Sequence, residues 1–261
     1  MEILTTTSKE VYADDVLRLA LDVGEGMLKN GGEVARVEDT IERICHAYGA
    51  VHVEVFTIIS VIHASVRMDD DSYSSQMRRV KSTGMNFSLL EDLNALSREV
   101  CRDVPSLTYF DERILALRQK KYGSPLISLL AWALAAASFA VFFGGGVWEG
   151  LWAALAGVAM FCIDTYAPRR VNTIAKHVTS SFVAAILAAI SVLLRGGEGS
   201  VIVMGSLMIL VPGVSIGTAM RDIFCGDLLA GTLRLLQACL SALMLAFGYM
   251  LAASLMGGGA I

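Results

Sequence analysis

The chain has 261 residues and a mass of 27.9 kDa, with 55% hydrophobic residues, 18% charged residues and a mean hydropathy of +0.59. That balance excludes an ordinary water-soluble enzyme and a disordered chain, both of which carry more charge. A net charge of −4 and a pI of about 5.6 argue against a nucleic-acid partner, which requires a basic stripe that neither half supplies.

The average conceals a division. Residues 1–123 hold 15 of the 21 Lys/Arg and 20 of the 25 Asp/Glu, whereas 124–261 hold 6 and 5. The first stretch reads as a soluble α+β domain and the second as a membrane domain. The amino terminus, MEILTTTSKE, has neither the basic nor the apolar region of a secretory signal, so the soluble domain is expected in the cytoplasm. Five cysteines (Cys45, Cys101, Cys162, Cys225, Cys239) are scattered and odd in number, with no CxxC pair. They read as reduced packing residues, and no metal site or cofactor is expected.

In chain order, Thr7 and Glu10 form a capping-box pattern ahead of a helix with Val16, Ala20, Val23 and Met27 on one face. Gly31-Gly32 interrupts it. A second helix carries Val34, Val37, Ile41, Ile44 and Tyr48 inward, and Glu33, Arg36, Glu38, Asp39, Glu42 and Arg43 on what reads as a solvated face. The period then changes to two, which predicts strands over 51–56, 60–68 and 76–81, with Asp69-Asp70-Asp71-Ser72 as a turn. Ser88 with Glu91, and Thr108 with Asp111, predict the starts of two further helices.

The second half predicts five transmembrane helices, over about 125–146, 148–167, 175–194, 200–221 and 233–256, at roughly 20 residues per crossing. The whole is thus a multi-pass α-helical membrane protein with an N-terminal cytoplasmic α+β domain. Arg118, Lys120, Lys121, Arg169, Arg170, Lys176, Arg221 and Arg234 all fall on one side of that layout and only Arg195 on the other. Positive charge is retained in the cytoplasm, which predicts a C-terminus outside the cytoplasmic (inner) membrane. Small residues at four-residue spacing (Ala153 and Gly157; Ser180, Ala184 and Ala188) predict closely packed helices.

The segment with the most chemistry is Val211 to Asp222, followed by Gly226-Asp227. Pro212 and Gly213 should break the fourth helix, and a broken membrane helix is stable only inside protein or beside a wet cavity. A new half-helix N-terminus directs positive dipole at an anion. Ser215 and Thr218 would add hydroxyls there, and Arg221 a fork for a small carboxylate. The plainer reading is a packing kink with a positive-inside arginine. Asp164, inside a predicted span, is a candidate for coupling charge, or else a partner for Arg169 and Arg170. His52, His63 and the Asp69–Asp71 run lie outside any HExxH or GxSxG pattern, so catalysis is the minority reading.

Three stretches resemble the threonine/serine exporter family: Gly32-Glu33-Val-Ala-Arg36-Val37-Glu38-Asp39-Thr40, Asn94-Ala-Leu-Ser97-Arg98-Glu99, and Pro212-Gly213 with Arg221-Asp222 and Gly226-Asp227. They fall in order along nearly the whole chain. The resemblance implies a membrane exporter of small hydroxy amino acids, driven by the membrane potential or a proton gradient, with no enzymatic activity. It also implies an alternative, dicarboxylate (succinate-type) export. Long members carry a second membrane module. This chain ends after its fifth predicted helix and so resembles one subunit of a pair, whose partner is a second small membrane protein of the same family. On this reading Arg221 holds the substrate carboxylate, Ser215 and Thr218 its polar substituent, and Asp164, Asp222 or Asp227 the coupling charge. A membrane-anchored regulatory or hydrolase-like protein is the reading from another class.

Overall fold

The computed structural model describes residues 2–81, 83–168 and 171–256, with side chains from Glu10 onward. The chain separates into two compact units. One joins Met1–Tyr122 to Val214–Leu235, and the other joins Gly123–Gly213 to Leu236–Ile261.

The first unit opens with α1 (Glu2–Lys29) and α2 (Val34–Ala47). Because α1 starts at Glu2, Thr7 lies within it rather than ahead of it; the Thr7 side chain lies outside the described residues. Gly31 turns the chain with φ 95°, and the Gly32 N–H donates to the Met27 carbonyl at 2.9 Å. The apolar stripe of α2 is buried as its 3–4 spacing predicts, through Val34, Val37, Ile41 and Ile44.

Strands β1 (Ala50–Ile58), β2 (Val61–Met68) and β3 (Tyr73–Arg79) form an antiparallel sheet in the order β1-β2-β3. Along β2, Ile62, Ala64, Val66 and Met68 enter the core beneath α1, while His63 and Arg67 face outward. His63 pairs across the sheet with Phe56 and Met77, and His52 with Arg67, so the two imidazoles lie in separate rows of an exposed face. The aspartate run is a turn: Asp70 Oδ1 accepts from the Ser72 N–H at 3.1 Å and its hydroxyl at 2.6 Å.

Helix α3 (Phe87–Asp103) is capped by Asn86, whose side chain accepts from the Leu89 N–H at 3.0 Å. Helix α4 (Leu107–Gln119) is capped by Ser106, which accepts from Tyr109 at 3.3 Å. Both caps sit two residues before the expected Ser88 and Thr108, which lie inside the first turns. Asn86 reaches its N3 amide directly, and Ser106 follows Pro105, which helps hold the approach to α4 extended.

The second unit contains α5 (Pro125–Phe142), α6 (Val147–Tyr166), α7 (Thr173–Arg195) and α8 (Gly199–Leu207); α9 (Gly213–Phe224) and α10 (Leu228–Leu255) complete the chain. Among the described residues four helices are long and apolar enough to cross a membrane: α5, α6, α7 and α10. The expected fourth, over 200–221, is divided into α8 of 9 residues and α9 of 12. Pro212 explains the division, since it has no N–H and its ring obstructs the carbonyl four residues earlier.

Small residues set the spacing within the second unit. A Cβ added to Gly157 would lie 2.7 Å from the Trp132 carbonyl oxygen, and one added to Gly205 would lie 2.5 Å from the Ala140 backbone nitrogen. Backbones therefore touch between α5 and α6 and between α5 and α8. Ala153, Ser180, Ala184 and Ala188 are all buried, as their spacing predicts.

Candidate functional site

Helix α9 follows Pro212 directly, and the Gly213 N–H donates to the Val211 carbonyl at 2.8 Å. Ser215, Thr218 and the Arg221-Asp222 pair recur every three or four residues, which aligns them along one side of the helix. The Thr218 hydroxyl donates back to the Val214 carbonyl at 2.8 Å and keeps its oxygen as an acceptor.

The end of α9 is an electrostatic junction within the first unit. Asp222 is only 1% exposed, although it sits on a short helix with solvent-facing neighbours. One of its oxygens, Oδ1, accepts from the Val34 N–H at 3.3 Å, the first amide of α2. The residue at the N-cap of α2, Glu33, makes no side-chain cap bond of its own. Asp222 thus satisfies a helix terminus from a distant part of the chain.

Its other oxygen, Oδ2, faces Arg234 Nε at 3.4 Å, an ion pair without a well-aligned hydrogen bond. Arg234 has an 11% exposed side chain, and its Nη2 donates to the Gly32 carbonyl at 3.2 Å. Arg221, 65% exposed, pairs with Glu33 at 2.9 Å. Gly32, Glu33 and Val34 therefore meet Arg221, Asp222 and Arg234, so that the first and third of the stretches singled out in the sequence form one cluster.

Between α9 and α10 the chain turns at Gly226, with φ 102°, and the Asp227 N–H donates to the Asp222 carbonyl at 2.9 Å. The two helices cross tightly, because a Cβ on Gly231 would lie 2.8 Å from the Ala219 carbonyl oxygen. Glu38 accepts from the Thr57 N–H at 2.7 Å. Burial pushes the Glu38 carboxyl above its ordinary value; the Thr57 amide opposes that rise and the charge of Asp227 adds to it.

Of the candidate residues, Arg221 and Asp222 come together, with the charge of Asp227 acting on Asp222. Asp164 belongs to the second unit, is 59% exposed, and pairs with Lys176 Nζ at 3.3 Å. Arg169 and Arg170, its alternative partners, lie outside the described residues. Sequence reasoning missed Glu33 and Arg234. Helical periodicity puts Glu33 on a solvated face and hydropathy makes Arg234 a loop cation, yet the Gly32-Glu33-Val34 stretch marks the first of them.

Residues 18–256 match the family described as "Putative threonine/serine exporter". The chain is 24% identical over 232 residues to "Probable threonine/serine exporter" of Mycobacterium tuberculosis, covering 87% of this chain and 43% of that protein. It is 26% identical over 197 residues to "Pheromone-regulated membrane protein 10" of Debaryomyces hansenii, covering 72% of this chain and 20% of that one. The chain therefore spans less than half the length of either of these relatives. It is also 25% identical over 248 residues to "Probable succinate transporter subunit YjjP" of Klebsiella aerogenes, covering 93% of this chain and 94% of that protein. No solved structure matches. With the family match running through both units, from α1 to the end of α10, the chain belongs to the threonine/serine exporter family of membrane transporters.

Proposed function

We propose that the chain is one subunit of a secondary exporter that moves small carboxylates, threonine and serine first among them, across the cytoplasmic membrane. Residues 1–123 would lie on the cytoplasmic side and the C-terminus outside, with residues 200–221 forming a fifth, interrupted crossing. Arg221 would hold the substrate carboxylate, with Pro212 and Gly213 opening the helix start and Ser215 and Thr218 meeting the hydroxyl substituent. Asp164, Asp222 and Asp227 are the candidates to carry coupling charge. A second small membrane subunit would complete the pathway.

One observation supports this reading above the rest. Arg221 already holds a carboxylate, that of Glu33, while largely open to solvent. An arginine fork on an internal carboxylate can exchange it for an external one at little desolvation cost. Substrate would then compete with Glu33 for Arg221, which would link binding to the junction around Asp222.

Succinate-type export is the second reading. It is favoured by the nearly full-length match to the Klebsiella aerogenes subunit, against partial coverage of the larger exporter. Uptake of labelled threonine, serine and succinate into inside-out vesicles, with and without the small partner, decides between them. Arg221→Lys keeps the charge but loses the fork, so saturable uptake should fall about tenfold or more. Unchanged affinity and rate in Arg221→Lys would remove Arg221 from substrate binding.

A further inference from the structure

Helices α2 and α3 flank an open polar groove of about 300 Å³, lined by Arg36, Phe87, Leu90, Glu91, Asn94 and Arg98. It lies wholly within the first unit. Phe87, Glu91, Asn94 and Arg98 are spaced by four, three and four residues, so they form a single stripe along α3. Arg36 reaches the pocket from the first turn of α2.

Three charged side chains line this pocket without using their charge on one another. Among the described residues Arg36, Glu91 and Arg98 make no ion pair and no side-chain hydrogen bond. Elsewhere in the same unit arginines pair readily: Arg18 with Asp15, Arg43 with Asp39, Arg113 with Glu99 and Arg118 with Asp22. Arg36 is also a cation on the first turn of a helix, where the dipole disfavours it. Two guanidinium groups bias the pocket toward an anion.

Glu91 makes the recognition more particular. A site for a bare anion gains nothing from an unpaired carboxylate on its wall, whereas an ammonium group gains a partner. Asn94 supports that role. Its Nδ2 donates to the Leu90 carbonyl at 2.7 Å, which leaves Oδ1 as an acceptor. Phe87, 58% exposed, and Leu90 offer an apolar edge for a short side chain. The volume holds a small amino acid with water to spare.

We propose that this pocket binds a free α-amino acid as its zwitterion, with Arg36 and Arg98 on the carboxylate and Glu91 and Asn94 Oδ1 on the ammonium. It is a site separate from Arg221, and it holds whether or not α9 carries substrate. Its position between α2 and α3 lets ligand bear on the helix whose first amide Asp222 caps.

Calorimetric titration of the full-length protein in detergent tests the proposal, with L-threonine and L-serine as zwitterions and succinate and inorganic phosphate as plain anions. Threonine and serine should bind more tightly than either anion. Arg36→Ala or Arg98→Ala should weaken them about tenfold or more, on the scale of a lost charge-assisted bond, with the unfolding midpoint unchanged because both side chains are exposed. Glu91→Gln should weaken the zwitterions while leaving succinate unaffected or tighter. In Arg221→Ala this binding should persist, and its disappearance there would overturn the proposal by moving the site to α9. Wild-type affinity in the pocket variants, succinate or phosphate binding to Arg221→Ala as tightly as threonine does, or no binding by the wild type would overturn it as well.

Discussion

Asp222 has the most demanding environment of any residue in the junction. It is a carboxylate almost without solvent, held by one backbone amide and one guanidinium. Removing one partner of such a pair leaves the other buried and uncompensated, at a cost of about 3–5 kcal/mol. Asp222→Ala and Arg234→Ala should each lower the unfolding midpoint of the purified protein strongly. The double variant should lose less than the sum of the two, because the second change removes a charge already stranded. Glu38 gives a second test at this scale. Its folded-state carboxyl titrates above the ordinary value, so its contribution to stability is present at acid pH and lost as pH rises through the folded value. Glu38→Gln should therefore raise the unfolding midpoint at about pH 7, and change it less at about pH 4, where the carboxyl is already protonated. Thr57 keeps an acceptor in that variant, so charge is the main change.

At the scale of elements, the helix starts distinguish what periodicity reveals from what it hides. Asn86→Ala and Ser106→Ala should each cost about 1 kcal/mol in denaturant titrations, and Ser88→Ala and Thr108→Ala far less. The four-residue Ser/Thr-to-acid pattern was present at Ser88 and Thr108, but nearby residues with the right approach angle compete for the same role. The buried stripe of α2 and the alternation along β2 were legible in the sequence because each needs one partner face only. The predicted fourth crossing was less so. Hydropathy runs continuously from residue 199 through 220 and conceals the point at which Pro212 parts α8 from α9. Arg234 and Glu33 were illegible for a different reason. Their roles depend on contacts between parts of the chain about two hundred residues apart, which no local period encodes.

For the whole molecule, chain order and compactness do not coincide. The boundary near residue 123 was legible from charge alone, yet the unit containing residues 1–122 also takes Val214–Leu235. Ala230 joins the hydrophobic cluster formed by α1, α2 and the sheet, and Asp222 and Arg234 close the start of α2. Two of the three stretches that carry the family resemblance, far apart in the chain, gather at that closure.

This arrangement sets an order of events during synthesis. The acceptor for the Val34 amide lies 188 residues downstream, so at ordinary rates of translation α2 waits about 10–40 s for its cap. In that interval all of α5 to α8 must be made. A nascent chain that stalls before residue 214 leaves the N-terminal unit with an unsatisfied helix start and without Ala230 in its core. Such a product is a ready substrate for proteolysis, and the completed unit certifies that the membrane helices before it have been produced.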